Sequence, residues 1–97
     1  MSEIAKQKLY WVDILTALIC HRLEWSWDDK QNGLVNADGV FIEWEDFDSV
    51  PIDLEGFVQV NFWGDGTIEL QETDGESINI YDYDVSIMEK LVELLKS

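Results

Sequence analysis

His21 and Cys20 are the only histidine and cysteine in the chain. Adjacent positions on a helix lie about 100° apart around its axis, so the imidazole does not face the thiol as a general base must face its nucleophile. The sequence therefore reads them as a helix-face histidine and a packed thiol. Carboxylates are abundant, 21 Asp and Glu against 6 Lys and Arg. They supply the residue type for glycoside hydrolysis but not a pair held in a deep cleft. Asp46-Phe47-Asp48 and Asp82-Tyr83-Asp84 share the opening of a calcium loop, yet neither combines a glycine at the sixth position with a glutamate at the twelfth. Only a fortuitous, weak Ca²⁺ or Mg²⁺ site is expected from such acids. Gly64-Asp65-Gly66 lies between two alternating segments rather than at the start of a helix, and so reads as a hairpin turn, not a phosphate cradle. No catalytic, cofactor or dedicated metal motif emerges, and the expectation is a protein that is not an enzyme.

What the chain does carry is charge, unevenly spread. Its 97 residues have a formal net charge of −15. Residues 1–30 hold Glu3, Asp13, Glu24, Asp28 and Asp29 against Lys6, Lys8, Arg22 and Lys30, and residues 85–97 balance Glu89 and Glu93 with Lys90 and Lys96. Residues 31–84 contain all the other acids and no Lys or Arg. Two carboxylates about 7 Å apart repel by about 0.6 kcal/mol in water and about 2.4 kcal/mol at an effective dielectric near 20. Domain stability is only about 5–15 kcal/mol in all. Crowded acids are thus costly, and steering toward a basic partner is the natural use for them. Acidic surfaces also serve solubility, but that role would spread over every exposed segment, and here the two ends are balanced.

The elements that must position these acids are legible in the periodicity. Ile4, Trp11, Val12, Leu15, Leu18, Ile19 and Leu23 recur at intervals of three and four, predicting a helix over residues 4–23. A second ridge of Tyr10, Ile14 and Ala17 leaves a face for burial, for a partner, or for a homodimer through this helix. Residues 28–33 read as a loop. Leu34-Val35 and the segment Val40–Glu45 are expected to pair across Asn36-Ala37-Asp38-Gly39. Residues 46–56 read as an irregular acidic connection, with Phe47, Val50, Ile52 and Leu54 tucked inward. Phe57–Trp63, Thr67–Glu72 and Ser77–Tyr81 alternate between turn signals and form a meander. Ile87, Met88, Leu91, Val92, Leu94 and Leu95 predict a closing helix, with Ser86-Ile87-Met88-Glu89 as its capping box. The expected fold is α+β: one domain over residues 1–97, a two-layer sandwich in which a four-stranded antiparallel meander carries both helices on one face, in the order α-β-β-β-β-α.

Strand parity assigns the faces. Val40, Ile42, Trp44, Val58, Val60, Phe62, Ile68, Leu70, Ile78 and Ile80 fall toward the helices. Phe41, Glu43, Glu45, Phe57, Trp63, Glu69 and Tyr81 fall on the opposite face, beside amides and without a base. Same-face residues lie roughly 6.6 Å apart along a strand, a spacing of the same order as successive phosphates. With Asp46, Asp48, Asp53 and Glu55 in the adjoining loop, the sheet would present a rigid anionic array to a site that normally grips nucleic acid. The aromatics would supply interface anchors.

The partner expected is therefore a basic protein, a nuclease or another nucleic-acid-binding protein, met through Phe41, Glu43, Glu45, Asp46, Asp48, Asp53, Glu55, Phe57, Trp63, Glu69 and Tyr81. Direct nucleic-acid binding is disfavoured, because the aromatics alternate with Glu rather than Lys or Arg. In size, charge and strand parity the chain is similar to the acidic phage proteins that block restriction, repair or CRISPR machinery by mimicking DNA, a likeness that covers no alignable segment. An immunity protein neutralising a basic nuclease toxin calls for the same surface. A non-catalytic subunit docking through the first helix is the remaining alternative. The longest apolar stretch, Leu9–Cys20, is interrupted by Asp13 and Thr16 and is too short for a membrane span. The lone cysteine and the polar N-terminus suit the cytoplasm.

Overall fold

A computed structural model describes residues 2–97. The first helix, α1 (Glu3–Leu23), starts at Ser2, whose hydroxyl accepts from the Ala5 N–H at 3.1 Å. This is the side-chain capping that relieves an unpaired helix N-terminus. It stops at Glu24, which adopts the left-handed conformation (φ 60°) while the Trp25 N–H donates back to the Cys20 carbonyl. The last helix, α2 (Val85–Lys96), begins after Asp84. The expected capping box does not form, since Ser86 lies inside the first turn and the Asp84 side chain makes no cap bond. The two helices pack on each other. Arg22 Nη2 donates to the carbonyls of Leu95 (3.2 Å) and Ser97 (2.8 Å), placing a cation at the negative end of α2. Lys8 Nζ donates to the Tyr81 carbonyl at 2.8 Å.

The sheet beneath is a four-stranded antiparallel meander of β3 (Phe47–Pro51), β4 (Phe57–Trp63), β5 (Ile68–Glu72) and β6 (Ser77–Asn79), in that order. Val60, Phe62, Ile68 and Leu70 from the sheet meet Leu15 and Ile19 of α1 and Met88, Leu91 and Val92 of α2 in one core. Fully burying such side chains contributes about 1.5–3 kcal/mol each. The α+β order of helix, meander and helix is the expected one. A small hairpin, β1 (Ser26–Asp28) with β2 (Gly33–Val35), is added to it.

Three departures from the expected strands matter for the site. First, Val40–Glu45 is not a strand of the meander. The chain does turn at 36–39, with Gly39 N–H donating to the Asn36 carbonyl, but pairing with β2 ends at a single bridge, Val35–Phe41, and one bond from Ile42 N–H to the Leu34 carbonyl. At Glu43 the chain folds back, its carbonyl accepting from the Asp46 N–H at 3.1 Å. Of the three residues assigned inward here, only Ile42 is buried, while Val40 and Trp44 are 58% and 69% exposed. Second, the first strand of the sheet comes from the segment expected to be irregular. It lies at the edge, where Pro51 at its end disrupts no ladder. Val50 points inward, whereas Phe47 is on the other face and half exposed.

Third, β4 carries a bulge. Gln59 stands opposite Gln71 but Phe57 stands opposite Glu72, so Val58 is an extra residue. The bulge reverses the parity of the strand's start. Phe57 shifts to the helix side, packing edge-on to Tyr83 with ring centroids 5.6 Å apart, and Val58 is left exposed.

Candidate functional site: acidic ends and an aromatic cleft

The acids do not lie in rows on the sheet. By alternation the outer face carries Phe47, Ser49, Gln59, Asn61, Trp63, Glu69, Gln71, Ser77 and Asn79, with Glu69 as its one carboxylate among the described residues. It is amide-rich, as parity implies. Gln59 Nε2 donates to Ser49 Oγ and to Asn61 Oδ1, Ser49 Oγ donates to the same Asn61 oxygen at 2.7 Å, and this network satisfies the buried Asn61. Glu69 accepts from Trp63 Nε1 at 2.7 Å, and Trp63 stacks on Phe47 at 4.6 Å. Phe41, Phe57 and Tyr81, expected on this face, are elsewhere. Phe41 is half-buried against Gly33, Phe57 is on the helix side, and Tyr81 is in a 3-10 turn (Ile80–Asp82).

The carboxylates gather instead at the two ends of the sheet, separated by the length of β4, roughly 20 Å at 3.3 Å per residue. At one end, the loop with Asp53 and Glu55 is joined to the β5–β6 turn by a bond from the Thr73 N–H to the Gly56 carbonyl (3.2 Å). Carboxylate oxygens of Glu72, Asp74 and Glu76 lie within 4.8 Å of one another there. Three oxygens are half or less of the six to eight that Ca²⁺ takes. Tyr83 OH donates to Glu72 Oε2 at 3.0 Å. Burial first, then that hydrogen bond, then the charges of Glu72, Glu76 and Asp74 push the phenol up to about 12.

The other end combines acids with apolar surface. Glu43, Glu45 and Asp46 occupy an exposed turn, Asp48 is the second residue of β3 and Asp65 tops the β4–β5 hairpin. Two glycines let these pieces converge. A side chain at Gly33 would occupy the position of the Phe41 ring, and one at Gly64 would overlap the Glu43 carbonyl. Gly64 N–H donates to the Asp46 carbonyl at 2.8 Å, clipping the acidic turn to the hairpin. Trp44 stands at the tip of that turn. Across from it, the β1–β2 hairpin presents Trp27, 60% exposed, whose Nε1 donates to Asp29 Oδ1 at 2.9 Å. Asp28 fixes the hairpin loop, accepting from Gln31 Nε2 and Lys30 N–H. Those bonds, the Gln31 side chain's first, hold its carboxyl below the usual range.

Between the two indoles lies a cleft of about 600 Å³, lined further by Leu34, Phe62, Thr16, Asn32 and Asp65 and by the backbone at Gly33, Gly64 and Gly66. On the far side of Trp44 a second hollow of about 420 Å³ is lined by Phe41, Glu43 and Glu45 with the amides of Gln31 and Asn32.

No family model, curated protein or solved structure matches this chain. The site therefore carries the functional reading. Of the residues expected to bind a partner, Glu43, Glu45, Asp46 and Asp48 come together beside the cleft, Asp53 and Glu55 join the opposite end, and Glu69 faces outward between them. Trp27 and Trp44 escape a sequence reading because the first lies in a turn-rich segment and the second shares strand parity with Ile42. Their signal is an aromatic flanked by acids, Glu43-Trp44-Glu45 and Trp27-Asp28-Asp29. Cys20 is half-buried, and burial pushes its thiol up, away from the reactive thiolate. On α1, Ile14 packs against the core and Tyr10 is exposed, so the second ridge is not a continuous apolar strip. Among the described residues no helix is long and apolar enough to cross a membrane.

Proposed function

We propose that this protein is a non-catalytic inhibitor that binds a basic, nucleic-acid-handling protein through the acidic, tryptophan-bearing end of its sheet. The observation that carries this reading is the coincidence, at one end of the molecule, of two exposed indoles, Trp27 and Trp44, with Glu43, Glu45, Asp46 and Asp65, all four of these acids coming from the segment 31–84 that has no Lys or Arg. Carboxylates at such an end accelerate encounter with a cationic surface, and the indoles lower the dissociation rate once contact is made. Occupying a phosphate-binding site with carboxylates blocks nucleic acid by competition, which is the sense in which the protein would act as a DNA mimic.

A second reading, an immunity protein against one basic nuclease, is favoured by the same indoles. A replica of a polyanion needs only charge, whereas a dedicated inhibitor of one enzyme gains affinity and selectivity from aromatic anchors.

The test begins with capture of partners from native lysate at low and high salt, followed by kinetics with the purified partner. Changing Glu43, Glu45, Asp46 and Asp48 together to amides is expected to slow association and flatten its salt dependence, and added nucleic acid is expected to compete. Unchanged association in the amide variant, or simultaneous binding of nucleic acid and this protein, rejects the reading.

A further inference from the structure

We infer that the cleft between Trp27 and Trp44 receives one apolar side chain of a cationic protein segment, whose neighbouring arginine or lysine lies in the hollow formed by Trp44, Glu43 and Glu45. This inference rests on the functional reading above and specifies the partner's chemistry at that site.

The cleft and the hollow adjoin at Trp44 and Asn32, which line both, so adjacent side chains of one bound segment would straddle the indole. Four large apolar side chains, Trp27, Leu34, Trp44 and Phe62, line the cleft beside Thr16, Asn32 and Asp65, with the Thr16 hydroxyl already donating to the Val12 carbonyl, and this predominantly apolar lining favours an aromatic or long aliphatic side chain. The hollow supplies the opposite preference. Two carboxylates flank an aromatic face, an arrangement that favours an ammonium or guanidinium group by charge and by its attraction to the ring. Lys30, the base of the neighbouring hairpin loop, lines neither space.

Charge decides the class of occupant. A second copy of this chain would bring another net −15 to an acidic rim. Nucleic acids and anionic lipid surfaces would meet the same repulsion. A cationic polypeptide segment is the occupant that satisfies both spaces. Part of the surface is preorganised: the Trp27 indole is held by its bond to Asp29, and the turn that carries Trp44 is fixed by its backbone clip to Gly64, which reduces the ordering left for the moment of binding.

Three capped tripeptides separate the contributions: acetyl-Arg-Phe-Arg-amide, acetyl-Arg-Gly-Arg-amide and acetyl-Glu-Phe-Glu-amide, titrated into the full chain at low salt and followed by ¹H–¹⁵N NMR. The Arg-Phe-Arg peptide is expected to shift the Trp27 indole N–H and the Gly64 and Gly66 amides, and to bind about tenfold more tightly than Arg-Gly-Arg, about 1.4 kcal/mol. The Glu-Phe-Glu peptide is expected to shift none of them. Trp44→Ala, at an exposed position, is expected to remove the tenfold preference while leaving the spectrum of the core unchanged. Equal binding of both arginine peptides, with shifts confined to residues 43–46, overturns the cleft inference and leaves the charge-based function standing. Binding of Glu-Phe-Glu as tight as that of Arg-Phe-Arg overturns the cationic occupant. If neither arginine peptide shifts residues 43–46, the functional reading fails as well.

Discussion

Gly64 packs directly beneath the backbone carbonyl of Glu43, and its own N–H donates to the carbonyl of Asp46. The acidic turn and the β4–β5 hairpin are thereby held as one unit, and the position of Trp44 follows from a contact that only a residue without Cβ permits.

Gly64→Ala should therefore destabilise the protein by about 1–3 kcal/mol, the usual cost of inserting a methyl group into packed surroundings. Urea unfolding would report the loss. The altered emission of Trp44, compared with a Trp44→Phe background, would show that the turn has moved. The neighbouring Gly66, whose added Cβ would meet open space but whose φ is +90°, would respond through backbone strain alone and leave the turn in place.

Glu24 ends α1 in the left-handed region. Its side chain contributes no bond to the cap, which is made by backbone groups. Glu24→Gly should stabilise the fold by about 1 kcal/mol, because the Cβ penalty of that conformation disappears. A higher urea midpoint with an unchanged m-value would be the signature.

The bulge at Val58 is tested by a pair of phenylalanines. Phe57→Ala removes a ring packed against the core and Tyr83, and should cost about 2–3 kcal/mol. Phe47→Ala, on the outer face and half exposed, should cost about 1 kcal/mol or less. The reverse order in denaturant unfolding would mean that uninterrupted strand parity is correct after all.

Tyr83 makes stability sensitive to strongly alkaline pH. Its proton is held more tightly in the folded chain, up to about 12 against an ordinary 10. The stabilisation it contributes is therefore fully present below pH 10 and is lost as pH rises from 10 to 12. The melting temperature should fall across that window. Phenol absorbance should show a late-titrating step that Tyr83→Phe abolishes. Glu72→Gln should move the step to lower pH, since it removes a neighbouring negative charge that opposes ionisation.

The helices, the last three strands and their turns are readable from local pattern. Leu15, Ile19, Met88 and Leu91 recur at helical spacing, and Asp65-Gly66 and Asp74-Gly75 each place a glycine at positive φ with an aspartate oxygen accepting two residues on. The first strand of the sheet is not readable in this way. Val40–Glu45 alternates more cleanly than Phe47–Pro51, yet the latter joins the sheet, because Phe41 seats on Gly33 and the Glu43 carbonyl meets Gly64. Both contacts join residues distant in sequence, and the spacing of neighbours does not record them. Four carboxylates of the candidate site, Glu43, Glu45, Asp46 and Asp48, are legible as a group because they are near neighbours in the chain, whereas the two indoles that complete it meet only through the fold.

The sequence by itself determined the charge asymmetry, the two amphipathic helices and the tight hairpins, because each depends on residue type and on interactions within a few positions along the chain. Only the tertiary structure decided where the charge and the aromatics end up. One bulge turned Phe57 inward, and two glycine contacts turned Trp44 outward, in each case because the packing partner comes from another part of the fold. Glu43, Glu45 and Asp46 thereby occupy one end of the sheet, and Glu69 is left as the carboxylate of its outer face among the described residues.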